Sequence, residues 1–264
     1  MARKKIGIAL SGGAARGFAH LGVLKVFAEH EIPIDFIAGT SAGSFAGAAL
    51  ASGLSVEKII EVARKIGWFR MTRFSFSPKG LLSNATMGAF INEHFPHKNF
   101  EDLKIPFAAV AADLETGEEV ILKDGDLSLA IRASCAIPGV FAPVEIGGKH
   151  LIDGGVVSLV PTKAVKKLGA EIVIAVDVNA CGASYWSSPT TFLGVFFQAA
   201  MMLLRTAGKS QHYRADVVII PNIAHLRPDE IGKMDEFIKA GEAAALEKID
   251  EIKNLILDIG NPEN

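Results

Sequence analysis

Gly39-Thr40-Ser41-Ala42-Gly43 stands between an apolar run, Ile34 to Ala38, broken only by Asp35, and a run of small helix-compatible residues, Ala42 to Ala51. A strand that meets a helix through Gly-x-Ser-x-Gly has few ways to fold. The turn is so tight that a side chain at position 39 or 43 would collide with neighbouring backbone. The serine then stands at the crest with its hydroxyl clear of the sheet, the arrangement of a nucleophile elbow. The helix that starts there aims its unpaired N–H groups and the positive end of its dipole at the same point. Ser41 is the candidate nucleophile.

A second glycine-rich turn comes earlier. Ile6 to Leu10 reads as a strand buried on both faces, Ser11-Gly12-Gly13-Ala14-Ala15-Arg16-Gly17 follows, and Phe18 to His30 has a helical pattern. Glycines between a strand and a helix turn several backbone N–H groups toward one point, which suits an anion. That anion is either a nucleotide phosphate or an oxyanion that exists only during reaction. Both phosphate signatures are incomplete: no Gly-Lys-Ser/Thr is present, and Ala14 breaks G-x-G-x-x-G at its third position. A parallel βαβ unit brings this loop and Ser41 to the same sheet edge. The combination favours acyl transfer, with a nucleotide-binding module as the alternative built on the glycine loop alone. Arg16 is either a cation for a lipid phosphate or a brace for the loop.

Further on, Ser55 to Trp68 reads as an amphipathic helix with Ser55 as its N-cap. A short helix (Met87 to His94), two strands (Phe107 to Ala112 and Glu118 to Leu122) and a helix (Leu127 to Ser134) follow. Lys149 to Asp153 is strand-like and ends in Asp153-Gly154-Gly155, a bend that presents a carboxylate. Taken alone, that aspartate satisfies its own turn. A helix from Pro161 to Leu168, strands over Glu171 to Val178 and Val217 to Pro221, and a long helix from Met234 to Asp258 complete the pattern. Strands alternating with helices imply an α/β sandwich with a mostly parallel central sheet.

The stretch from Ser11 to Lys25, followed by Gly39 to Ser44, resembles the patatin-like phospholipases, in particular their small bacterial members. Ala133-Ser134-Cys135-Ala136-Ile137-Pro138-Gly139-Val140-Phe141-Ala142-Pro143 and Asp153-Gly154-Gly155 are similar to two further segments of that family. The resemblance is dense from Ile6 to Lys166. It implies a three-layer α/β/α sandwich of the Ser-Asp dyad acyl hydrolase type, one domain over 1–264, with 167–264 completing it. It implies a lipid acyl hydrolase of phospholipase A, lysophospholipase or carboxylesterase type, with Ser41 and Asp153 as the dyad. The amides of Gly12, Gly13 and Ala14 would form the oxyanion hole, and Arg16, Gly17, Gly39, Gly43, Gly154 and Gly155 would support it. The substrate would be a lipid or other acyl ester, with no metal and no organic cofactor. Ala14 stands where the family usually has a third glycine, and its N–H suits the hole without strain only if its φ is negative. A regulatory or adaptor protein with little or no turnover is the alternative on the same scaffold. A Ser-His-Asp triad is the local competitor, since Asp153 followed by His212 or His225 keeps the order serine, acid, histidine.

Composition narrows the remaining classes. A net charge of −2 leaves no nucleic-acid footprint. Cys135 and Cys181 form no disulfide framework and no metal-ligand spacing, which suits a reducing, cytoplasmic setting. The basic start, Met1 to Lys5, precedes an apolar run too short for a signal peptide. Phe192 to Leu204, apolar except for Gln198, is too short to span a bilayer. Its composition predicts a buried core helix; a surface helix in peripheral contact with lipid or with a second subunit is the alternative. Residues 68–86 are rich in aromatics and predict either a self-packed loop or a cover over an acyl pocket, and Tyr185 to Pro189 is a second candidate cap.

Overall fold

The computed structural model describes residues 3–67, 73–74, 82–184 and 190–257. The first half runs β1 (Ile6–Leu10), α1 (Phe18–Glu29), β2 (Phe36–Thr40), α2 (Ala42–Ala51), α3 (Val56–Ala63), β3 (Arg73–Phe74), β4 (Leu82–Ser83), α4 (Ala85–His94), β5 (Phe107–Asp113) and β6 (Glu119–Leu122). The second half runs α5 (Leu127–Ser134), β7 (Val144–Ile146), β8 (Lys149–Asp153), α6 (Thr162–Leu168), β9 (Ile172–Val176), α7 (Phe192–Gln211), β10 (Val217–Ile219), α8 (Met234–Leu246) and α9 (Ile249–Leu257).

Strands β10, β9, β1, β2 and β5 lie side by side in that order, all parallel. Strands β6 and β8 pair antiparallel with β5, and β7 pairs antiparallel with β8. The register shows how they share β5. Ala109 and Val110 pair with both β2 and β6, so those two strands occupy opposite edges. Ala111 and Ala112 pair with both β6 and β8, so β8 lies on the edge that β2 has left. Strands β2 and β8 therefore meet end to end on one edge of β5. Thr40 faces Val110, and Asp153 faces the next residue, Ala111.

The two faces of the sheet are built differently. Ile6, Ile8, Leu10, Ile37, Ile172, Ile174 and Val176 project into the larger core with α1, α3, α4 and α8. The other face carries Ala9, Ala38, Ala108 and Ala175, against which α6 packs through Ala164 and Val165. Small residues let that helix approach closely. At Gly7, an added Cβ would lie 2.5 Å from Val165. Helices α1 and α8 cross with their backbones in contact, because Gly22 and Gly241 leave room for the carbonyls of Ile238 and Ala19.

The expected elements are present with shifted ends. Ser55 caps α3, its hydroxyl accepting from the Lys58 N–H, but the helix stops at Ala63. The expected helix from Met234 to Asp258 is two helices, α8 and α9, so that Ile249 and Ile252 stay buried past the break. Phe192 to Leu204 was expected in the core, yet Val195, Met202 and Leu203 of α7 are exposed. Its carboxyl end is held at the start of α6, where Gln211 Oε1 accepts from the Val160 N–H and the Gln211 carbonyl accepts from Thr162 Oγ1. Among the described residues no helix is long and apolar enough to cross a membrane. Of the expected cover at 68–86, only Arg73–Phe74 and the part from Leu82 onward are described; Tyr185 to Pro189 lies outside the described residues.

Candidate active site

Ser41 sits on the turn from β2 into α2 with φ 51° and ψ −122°, a region sparsely populated by non-glycine residues. Its surroundings hold it there. Its N–H donates to Ser134 Oγ at 2.9 Å, and Ser134 Oγ in turn donates to the Val110 carbonyl at 2.6 Å. Its carbonyl accepts from Ser44 Oγ at 2.7 Å. Both flanking glycines are sterically obligatory. A Cβ on Gly39 would lie 2.4 Å from the Gly43 carbonyl oxygen, and one on Gly43 only 2.1 Å from that of Leu10.

Asp153 ends β8 beside this turn, and the sheet register explains why. Thr40 and Asp153 face consecutive residues of β5, so Ser41 and Asp153 flank the junction between the two strands. The Asp153 N–H donates to the Ala136 carbonyl at 2.9 Å, and its carboxylate accepts from the Gly155 N–H at 2.8 Å. Gly154 leaves no space for a side chain, since a Cβ would lie 2.2 Å from the Val110 carbonyl oxygen. Asp153 is 7% exposed and Ser41 8%, so both are largely withdrawn from water. Burial pushes the Asp153 carboxyl up from its ordinary 3.8 to about 6, although the Ser41 hydroxyl and the Gly155 N–H both favour its ionised form. Burial and the Asp153 charge push the neighbouring Cys135 thiol up to about 12, so it stays protonated near neutrality.

The glycine loop arrives from β1 on the same side. A Cβ on Gly12 would lie 3.3 Å from Ser41 Cβ, and one on Gly17 2.5 Å from Ala42 Cβ. The loop's amides are not equivalent. The Gly12 N–H, expected as an oxyanion donor, already donates to the Leu159 carbonyl at 3.0 Å. Gly13 and Ala14 have N–H groups with no partner among the described residues. Asn179 Nδ2 donates to the Gly12 carbonyl at 2.6 Å. In a trans peptide C=O and N–H point oppositely, so this bond turns the Gly13 N–H away from Asn179. Asp177 holds Asn179 by accepting its N–H at 2.8 Å, and His212 Nε2 lies 2.8 Å from Asp177 Oδ2.

Ala14 has φ +50°, the conformation that the missing glycine would have adopted freely. Left-handed backbone costs a non-glycine residue roughly 1–2 kcal/mol. Ala14→Gly removes that strain but gives the unfolded chain more freedom, which offsets about 0.5–1 kcal/mol. The expected outcome is a gain of up to about 1 kcal/mol in urea unfolding, with ester turnover retained.

Arg16 is a brace. It is 2% exposed, and its guanidinium donates to the carbonyls of Leu226 at 3.1 Å and Gly182 at 3.1 Å, among others. It ties the loop to the chain after β9 and after β10, and burial keeps it from a lipid phosphate. The two histidines that kept the triad order are placed elsewhere: His212 pairs with Asp177, and His225 is exposed. Among the described residues no histidine hydrogen-bonds Ser41, and no cluster of three His, Cys, Asp or Glu could hold a metal ion.

Three residues with evident work at the site were not singled out from sequence: Ser134, Leu159 and Asn179. The Ala133-Ser134-Cys135-Ala136 segment carried a signal for the first. Asn179 lies just beyond the carboxyl end of a parallel strand, where sites of open α/β sheets gather.

The model of a family described as patatin-like phospholipase matches residues 8–166, more than half of the chain. An NTE family protein of Mycobacterium tuberculosis is 35% identical over 178 residues, 66% of this chain and 49% of the relative. Patatin-like phospholipase domain-containing protein 6 of Homo sapiens is 33% identical over 184 residues, 66% of this chain and 13% of the relative. The chain thus spans about half or less of the length of these relatives. In three dimensions it is similar to VipD from Legionella pneumophila, with TM-score 0.58 and 14% identity over 95% of this chain and 67% of that one. It is likewise similar to the type III effector protein ExoU, with TM-score 0.54 and 11% identity over 96% of this chain and 54% of that one. At such identities these two likenesses speak for the fold alone.

Proposed function

The chain belongs to the patatin-like phospholipase family, and from that premise we propose that it is a serine-dependent lipid acyl hydrolase in which Ser41 and Asp153 form the catalytic dyad. The single observation that carries this reading is the end-to-end meeting of β2 and β8 on one edge of β5, which sets Asp153 beside Ser41. Ser41 Oγ attacks the carbonyl carbon of an ester, and its proton passes to the Asp153 carboxylate. The N–H groups of Gly13 and Ala14 take the charge that develops on the carbonyl oxygen; one such donor is typically worth about 2.7–4 kcal/mol of barrier. The tetrahedral intermediate expels the alcohol, which leaves with the proton from Asp153. Water then attacks the acyl-serine with Asp153 as base, and the carboxylic acid departs.

An aspartate at its ordinary pKa is a weak base near neutrality. Burial raises Asp153 to about 6, which brings its basicity closer to that required. The substrate class follows from the family: phospholipid, lysophospholipid or a simpler carboxylic ester. We take 1–264 as one patatin-like domain, working in a reducing, cytoplasmic setting consistent with the free thiols of Cys135 and Cys181.

Fluorophosphonate labelling tests the reading. The wild-type chain is expected to be modified at Ser41, and Ser41→Ala to lose the label together with hydrolysis of short-chain esters and lysophospholipids. His212→Gln combined with His225→Gln is expected to leave ester hydrolysis within a few-fold of wild type. A collapse in that double variant comparable to Ser41→Ala would replace the dyad with a triad.

A further inference from the structure

Helix α7 is anchored beside the site by one face and open to solvent on the other. Gly208 meets Leu159, where a Cβ would lie 2.9 Å from Cδ2, and Gln211 Oε1 accepts from the Val160 N–H at 2.6 Å. Leu159 is the residue whose carbonyl receives the Gly12 N–H, so the anchor of α7 is also a wall of the candidate site. On the outer face Val195, Met202 and Leu203 are 52%, 51% and 72% exposed, and Tyr213, just beyond the helix, is 94% exposed. The spacing i, i+7, i+8 sets the first three on one stripe of the helix. Ala199 and Thr206, also exposed, continue the stripe. An apolar stripe of that exposure marks an interaction surface.

Charge identifies what the surface fits. No Asp or Glu occurs from Val178 to Ala215, although the chain as a whole has a net charge of −2. That same stretch carries Arg205, Lys209 and Arg214, and the last two are exposed at the carboxyl end of the stripe. A second copy docked with its α7 parallel to this one would set these cations against their own counterparts, and one docked antiparallel would leave them without acidic partners in this stretch. An anionic membrane surface answers both halves of the helix. Apolar side chains enter the acyl boundary while ammonium and guanidinium groups meet lipid phosphates.

We propose that the outer face of α7 is a docking surface for an anionic phospholipid bilayer. Val156, three residues past Asp153 and 38% exposed, extends apolar surface from the site itself. Gln211 Nε2, at the carboxyl end of α7, donates to the next carbonyl, that of Val157, at 3.3 Å, so a bilayer docked along α7 lies near this end of the site. That consequence, unlike the docking, rests on the lipid acyl hydrolase reading.

The test is co-sedimentation of the full chain with vesicles of phosphatidylcholine alone and with vesicles of phosphatidylcholine and phosphatidylglycerol in equal parts. Binding is expected to the mixed vesicles and to weaken as salt is added. Met202→Glu with Leu203→Glu should weaken it about tenfold or more, and Lys209→Glu with Arg214→Glu should remove the preference for phosphatidylglycerol. Hydrolysis of a soluble short-chain ester should be unchanged in both double variants, which also reports that they are folded. Vesicle binding by Met202→Glu/Leu203→Glu equal to wild type overturns the proposal. So does a wild-type dimer that the same double variant converts to monomer without effect on vesicles. If wild type hydrolyses no ester while the double variant loses vesicle binding, the hydrolase reading fails and the docking surface stands.

Discussion

Asp153→Asn is expected to abolish most ester hydrolysis and to make the protein more stable at neutral pH. The loss follows from the proposed role. An amide cannot accept the Ser41 proton, and a positioned general base contributes about 10²–10⁴-fold in rate. The gain follows from burial. The folded-state pKa of Asp153 is raised from 3.8 to about 6, so the folded protein binds this proton more tightly than the unfolded chain does. The stability tied to that proton is complete below about pH 4 and is lost as pH rises through about 6. Above that window an ionised, buried carboxylate costs on the order of 2–3 kcal/mol, which asparagine avoids while its carbonyl still accepts from Gly155. Urea unfolding of the two proteins should therefore diverge between pH 4 and pH 7 and run parallel at pH 8 and above. In the wild type, kcat/KM should rise with pH through an inflection near 6. A variant that is less stable at pH 8, or a wild-type activity flat from pH 5 to pH 8, contradicts this assignment.

Gly43→Ala should prevent the elbow from forming. The added Cβ would sit 2.1 Å from the Leu10 carbonyl oxygen and 2.7 Å from that of Ser11. Both atoms belong to backbone at the end of β1, where the glycine loop begins, so neither has a rotamer by which to yield. Overpacking against side chains costs about 1–3 kcal/mol; here the obstacle is main chain of a central strand, and a loss of about 4 kcal/mol or more is expected. Thermal unfolding should show a large fall or no cooperative transition, and fluorophosphonate labelling should vanish with it. Gly67→Ala is the matched control, since a Cβ there has nothing within 4 Å among the described residues. It should leave both stability and labelling near wild type. Equal behaviour of the two variants would mean that the close approach of α2 to β1 is not obligatory.

The short-range features of the site could be read from the chain because their causes are short-range. Gly39 is demanded by the turn itself, where a Cβ would strike the backbone of Gly43 and Ser44, Ser55 by the first turn of a helix, and the apolar runs of β1, β2, β5 and β9 by burial on both faces. Such constraints act between residues a few positions apart, so composition and spacing express them directly. The Asp153-Gly154-Gly155 bend was visible too, but nothing within it says that its carboxylate meets Ser41. That depends on β8 taking the edge of β5 that β2 vacates, so that β5 brings together two segments, β2 and β8, that lie far apart in the chain. The same holds for the Gly12 N–H, engaged by Leu159; for Arg16, held by the carbonyls of Val178 and Leu226; and for α7, which its apolar composition predicts as core. Whether a backbone N–H is free, a cation buried or an apolar helix covered is settled by what the rest of the chain brings alongside it. Only the assembled sheet and its two covering layers provide those neighbours.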